Sequence, residues 1–201
     1  MRREACFDVV TQFEEALCEY TGSTFAVTVD SCTNALALCF HWLRLNDDTT
    51  TVVLPKHTYV GVLQAARNAG FKVKFRDLEW KGAYPIDPLP LVDSAKHFER
   101  DMATNQTFTC VSFQAGKILP IGRGGAILHA DSEADQWLRK ARLDGRTAGV
   151  DYADNTYQGR GWHAYMTPPD AARGLWLLTY ADDDDQGDWT EYPDLSEARW
   201  R

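Results

Sequence analysis

The chain has no long apolar run, no paired cysteines and no clustered histidines. Nothing in it approaches the about eighteen uninterrupted apolar residues that a membrane-spanning helix needs. Met1-Arg2-Arg3-Glu4 does not lead into the apolar stretch of a signal peptide. The five cysteines (Cys6, Cys18, Cys32, Cys39, Cys110) are odd in number and contain no C-x-x-C pair. That usage points to reduced thiols in a cytoplasmic setting rather than a disulfide framework. The histidines, at 41, 57, 97, 129 and 163, are too scattered for a zinc signature, and no metal is expected. Positive charge is also scarce: 21 Lys and Arg stand against 29 Asp and Glu, a net charge of −8. Residues 182–201 hold eight acids against Arg199 and Arg201, so that stretch carries −6 and residues 1–181 only −2. Such a chain is poorly suited to gripping nucleic acid through its phosphates. The one basic run, Arg139, Lys140, Arg142 and Arg146, reads as a solvated helix face.

What is abundant is core material. A 44% hydrophobic content with seven Trp, eight Tyr and nine Phe suffices for one packed domain, placed at residues 1–181, followed by an acidic tail over 182–201. Val9, Val10, Phe13, Ala16, Leu17 and Tyr20 recur at helical spacing, with Asp8 available to cap the start and Gly22 past the end. Strands are expected at 25–29, 51–54, 71–75, 107–113 and 125–129, with a short one at Leu91-Val92. Helices are expected at about 34–45, 59–68 and 132–143, while three prolines make 76–90 turn-rich. Alternating strands and helices predict an α/β fold, with a mostly parallel, mixed sheet and helices on both faces. In such sheets ligands bind beyond the carboxyl ends of the strands.

Those ends carry polar residues of four kinds. Ser31-Cys32-Thr33-Asn34 opens a helix, where free N–H groups and the dipole suit a phosphate; an ordinary Ser/Thr N-cap is the other reading. Tyr59 follows the second strand, either as a platform for a flat ring or as a first-turn core residue. Asp93 ends a buried strand, and a buried carboxylate needs a partner: a protonated pyridine nitrogen, an arginine or a helix cap. Lys117 sits in a loop between Ser112-Phe113 and Gly124-Gly125, where an amine of lowered pKa forms a Schiff base with an aldehyde. A solvated loop lysine is the plain alternative.

In this order the pieces resemble the DegT/DnrJ/EryC1/StrS family of sugar aminotransferases, pyridoxal-phosphate enzymes of fold type I. FEEALCEYTGSTFAVTVDSCTNALAL is similar to the family's glutamate helix, strand and S-G-T-x-A-L turn. VVLPKHTYVGVLQAARNAGFKVKFRDL resembles its P-x-x-T-[FYW] segment, and VDSAKHF its D-x-A-[HQ] motif. SFQAGKILPIGRGGAIL resembles the S-F-x-x-x-K…G-G-A motif and is the most specific part. LRKARLDGR and GWHAYMTPPDAARGLWLL resemble later stretches, so the likeness runs from about residue 13 to 178. It implies pyridoxal 5′-phosphate as cofactor, bound through Lys117 as a Schiff base. It also implies Asp93 at the pyridine nitrogen, Thr33, Asn34 and Ser112 around the phosphate, and Tyr59 on the ring. With Asp93 keeping the ring nitrogen protonated, Lys117 becomes the general base at Cα.

The departures from the family pattern are as informative. Lys96 stands where the family has His or Gln, either near the cofactor or pointing to solvent. Asp87-Pro88 is followed almost at once by Leu91-Val92-Asp93, so a βα unit looks deleted. The small C-terminal domain looks absent, and His163 replaces the asparagine that reaches the neighbouring subunit's phosphate. The leading expectation is amino transfer from an amino-acid donor to a keto group on a nucleotide-sugar-like acceptor, in a cytoplasmic homodimer with a shared site. Decarboxylation or other α-carbon chemistry on an amino-acid-like or modified-nucleotide substrate is the second reading. A non-catalytic cofactor-binding or assembly subunit is the third.

Overall fold

The computed structural model describes residues 7–157, 159–181 and 187–198. Cys6, Met1 to Glu4, the Asp182–Asp185 run, Arg199 and Arg201 lie outside the described residues. Helix α1 (Asp8–Thr21) closes on Gly22 at φ +74°, the left-handed conformation glycine takes without strain. The N-cap position is Phe7, not Asp8, and it makes no side-chain cap. Asp8 instead lies in the first turn, where its charge complements the helix dipole.

Strands β1 (Phe25–Val29), β4 (Tyr84–Pro85), β5 (Leu91–Ser94), β6 (Phe108–Ser112) and β7 (Gly125–His129) form one sheet in the order β1-β7-β6-β5-β4. Strands β2 (Thr51–Pro55) and β3 (Lys72–Arg76) form a parallel pair of their own. The Val53 N–H donates 2.8 Å to the Asp87 carbonyl and ties this pair to the segment after β4. The expected parallel bias is corrected: in the five-stranded sheet only β5–β6 is parallel, and the other three pairings are antiparallel. The reason is the connections. Residues 113–124 join β6 to β7 without a helix, and a return without a crossover runs antiparallel. The turn at 86–90 likewise folds β4 back on β5.

Helices cover both faces, as the alternation predicts. On β7, Ile127 packs in the cluster with α2 (Cys32–Asn46), α3 (Val60–Asn68) and α4 (Ser132–Ala141). Ala126 and Leu128 point the other way, toward α1 and α5 (Pro168–Leu178). That period of two, with β6 and β7 buried along their whole length, is what a central strand requires.

One buried charge cluster locks α1 to α4. Glu14, 3% exposed, accepts from the Thr28 N–H (2.9 Å), the Thr28 hydroxyl (2.8 Å) and Arg139 (2.6 Å), and it also pairs with Arg142. The reading of the basic run as a solvated face is therefore wrong for Arg142, which is buried. Arg142 follows Leu138 by four residues and so shares the inward stripe of α4 with Ala134, Leu138 and Ala141.

Candidate functional site

The carboxyl ends of β1, β5 and β6 open onto a cavity of about 430 Å³. Its floor is the turn from β1 into α2. Ser31 is the N-cap of α2, its hydroxyl accepting the Asn34 N–H at 3.2 Å. Ser31, Cys32 and Thr33 line the cavity, so the positive end of a fifteen-residue helix faces into it. Strand β7 begins directly beneath this turn. A Cβ on Gly125 would stand 2.5 Å from the Cys32 nitrogen and 2.8 Å from the Ser31 carbonyl carbon, so only glycine allows the two backbones to touch.

Asp93, 4% exposed, forms one wall. Its carboxylate is held by the Tyr84 hydroxyl at 2.7 Å and the Ala95 N–H at 3.0 Å. Tyr84 in turn accepts from the Thr58 hydroxyl, a relay buried throughout. Burial pushes the Asp93 carboxyl above its ordinary range, against the opposing pull of these hydrogen bonds and of the Lys117 charge. Lys117 lines the same cavity from the 113–124 loop, which is pinned by Lys117 N–H to Gln114 carbonyl (2.9 Å) and Gly122 N–H to Phe113 carbonyl (3.1 Å). Among the described residues Asp93 and Lys117 make no ion pair with each other or with any other side chain. A base and an acid thus face one space, each with charge left to offer.

Five of the eight sequence-derived site residues meet here: Thr33, Tyr59, Asp93, Ser112 and Lys117. Tyr59 is 53% exposed at the rim, so it is not a first-turn core residue. The other three lie outside the cavity lining. Asn34 turns its amide to Asp30 (2.6 Å), which also pairs with Arg123 (2.8 Å). Lys96 lies neither on the lining nor in solvent: its side chain is 11% exposed, held by Glu191 (2.5 Å) and the Asp188 carbonyl (2.6 Å). His163 pairs with Asp144 at 2.9 Å on the surface, its side chain 69% exposed. Sequence reading missed Tyr84, Arg123, Glu191 and Tyr192. The last two come from residues 187–198, which fold back over the cavity.

The sequence pattern of the DegT/DnrJ/EryC1/StrS aminotransferase family matches residues 6–91 and 93–186. A stretch of 73 residues is 38% identical to a UDP-4-amino-4,6-dideoxy-N-acetyl-β-L-altrosamine transaminase of Campylobacter jejuni, covering 36% of this chain and 19% of that one. Among solved structures, the sugar aminotransferase CalS13 of Micromonospora echinospora superposes with a TM-score of 0.75 at 20% identity, over 86% of this chain and 60% of that one. Helicobacter pylori PseC, an aminotransferase involved in the biosynthesis of pseudoaminic acid, gives 0.69 at 17% identity, over 90% and 64%. This chain therefore shares the fold of the sugar aminotransferases and spans less than two thirds of their length. No helix among its described residues is long and apolar enough to cross a membrane.

Proposed function

The chain belongs to the DegT/DnrJ/EryC1/StrS aminotransferase family, and from that premise we propose that it binds pyridoxal 5′-phosphate and moves an amino group from an amino-acid donor to a keto group on a nucleotide-sugar-like acceptor. The observation that carries this reading is the Lys117 amine and the buried Asp93 carboxylate on one cavity, with a helix N-terminus as its floor.

The residues fit the cofactor. Asp93 is a buried acid with two hydrogen bonds and no ion pair among the described residues, which suits a protonated ring nitrogen. Tyr84 and Ala95 fix the direction in which its carboxylate points. The α2 N-terminus, with Ser31, Thr33 and Ser112, offers N–H and hydroxyl donors for a phosphate. Tyr59 at the rim supplies a face for the ring. When bound, the cofactor supplies an electrophilic aldehyde carbon and a ring that accepts electrons. Lys117 would hold it through its side-chain amine, and the same amine, when free, would take and return the proton at the substrate's α-carbon.

In this proposal residues 1–181 form the cofactor-binding body, and the protein works in the cytoplasm as a homodimer. The exposed His163 and its ring neighbour Tyr165 lie at 4.9 Å and present a surface for the partner's phosphate turn. Ala164 and Met166 are buried in their own subunit, so that contact falls to His163 and Tyr165 alone. Borohydride reduction followed by peptide mapping tests the central claim. The cofactor should be fixed on Lys117 and lost in Lys117→Ala; an adduct on Lys96, or none, overturns it. Sedimentation with and without cofactor tests the dimer.

A further inference from the structure

Residues 187–198 form a strap with anchors at both ends. Its first residue accepts the Gly82 N–H at 2.9 Å, and the Leu195 N–H near the other end donates to the Lys56 carbonyl at 2.9 Å, with the Leu195 side chain buried in the core. Between them His57 Nδ1 donates to the Tyr192 carbonyl at 2.8 Å, Trp189 packs on His57 at 5.1 Å, and Tyr192 stacks on Trp80 at 6.0 Å. This fastening brings Glu191 and Tyr192 onto the cavity that Lys117 lines.

Lys96 fixes their pose. Its ammonium holds Glu191 at 2.5 Å and lies 4.8 Å from the Tyr192 ring centre. Tyr192 is hydrogen-bonded to Glu191 as well, and burial together with that carboxylate keeps its phenol protonated. We propose that Glu191 and Tyr192 are specificity-determining residues that contact the hydroxylated ring of the acceptor, and that Lys96 is the residue that positions them. An acid and a phenol side by side accept and donate hydroxyl hydrogen bonds, and the aromatic face packs on ring C–H groups. This rests on the reading of the cavity as the reaction site.

The test titrates the full chain, with and without added pyridoxal phosphate, using UDP-N-acetylglucosamine, UDP and L-glutamate as probes in calorimetry. Glu191→Gln and Tyr192→Phe are each expected to weaken UDP-N-acetylglucosamine by roughly tenfold, the loss of one hydrogen bond to a charged group. UDP, which lacks the ring, and L-glutamate should shift by less than about twofold, well under one such bond. Lys96→Gln should act like Glu191→Gln and should also speed iodoacetamide labelling of Cys32, a cavity thiol, with Lys96→Arg restoring both. Cys39 and Cys110 staying unlabelled reports an intact core. Unchanged sugar-nucleotide affinity in Glu191→Gln and Tyr192→Phe, equal losses for UDP, or no binding by the unaltered chain each overturns the proposal. Borohydride trapping on Lys117 with unchanged probe affinity sinks the strap's role alone. Weakened probe binding without trapping sinks the cofactor reading alone.

Discussion

Glu14 and Asp93 are two buried acids of one small protein, and their carboxyls are displaced in opposite directions. Burial pushes both up. At Glu14 the Arg142 and Arg139 charges more than reverse it, and the carboxylate ends below its ordinary range. At Asp93 a tyrosine hydroxyl, one N–H and the Lys117 charge are too little, and the carboxyl ends above it. The fold pairs Glu14 with two arginines, while Asp93 feels only the more distant charge of Lys117 and has no ion pair among the described residues. A buried charge that the protein pairs is scaffold, and one it leaves without an ion pair on a cavity is a candidate for ligand binding.

The most damaging way to break this comparison is to strip Glu14. Arg142→Ala should cost roughly 3–5 kcal/mol of stability, because a buried carboxylate loses its closest cation. Urea unfolding reads it, and a cost under about 1 kcal/mol, that of a surface pair, would show the cluster to be peripheral. Asp93→Asn should behave differently. Without cofactor the variant should be at least as stable as the parent, while cofactor affinity falls by about 1.5–3 kcal/mol, the range for a charge-assisted hydrogen bond. Equal losses in both measurements would make Asp93 another structural acid. Tyr84→Phe is the smaller probe: about 1 kcal/mol of cofactor affinity, the value of one ordinary hydrogen bond.

The subtlest test is pH. Glu14, with its lowered pKa, contributes stability above its unfolded pKa that is lost as pH falls through the folded value. Asp93, with its raised pKa, works in reverse: cofactor-free protein loses stability as pH rises from the unfolded value through the folded one. Asp93→Asn should therefore gain on the parent as pH rises across that window. A constant difference between the two unfolding profiles would refute the assignment.

Much of the site was legible because the chemistry sits where strands end. Asp93, Ser112 and Lys117 follow recognisable apolar runs, and the helix start at Ser31 to Thr33 announces itself by its hydroxyls. Tyr84 was hidden by the prolines around it, since a two-residue strand is too short to show a period. Arg142 had a signal, the i+4 spacing from Leu138, that a count of charges obscures. The strap had one too: Trp189, Tyr192 and Leu195 recur every three residues inside an acidic composition. Strand direction was written in the connections, for the segment between β6 and β7 has no helix to carry a crossover.

The contact at Gly125 acts as a gauge. Where β7 starts, its backbone lies against the turn that opens α2, with no room for a methyl group between them. The loop bearing Lys117 runs straight into this strand, so the strand that carries the loop is seated directly on the turn that opens α2. A side chain at 125 would act as a shim and lengthen that spacing. Under the proposed function, that spacing would set the length of the molecule that reaches the lysine and the helix start together.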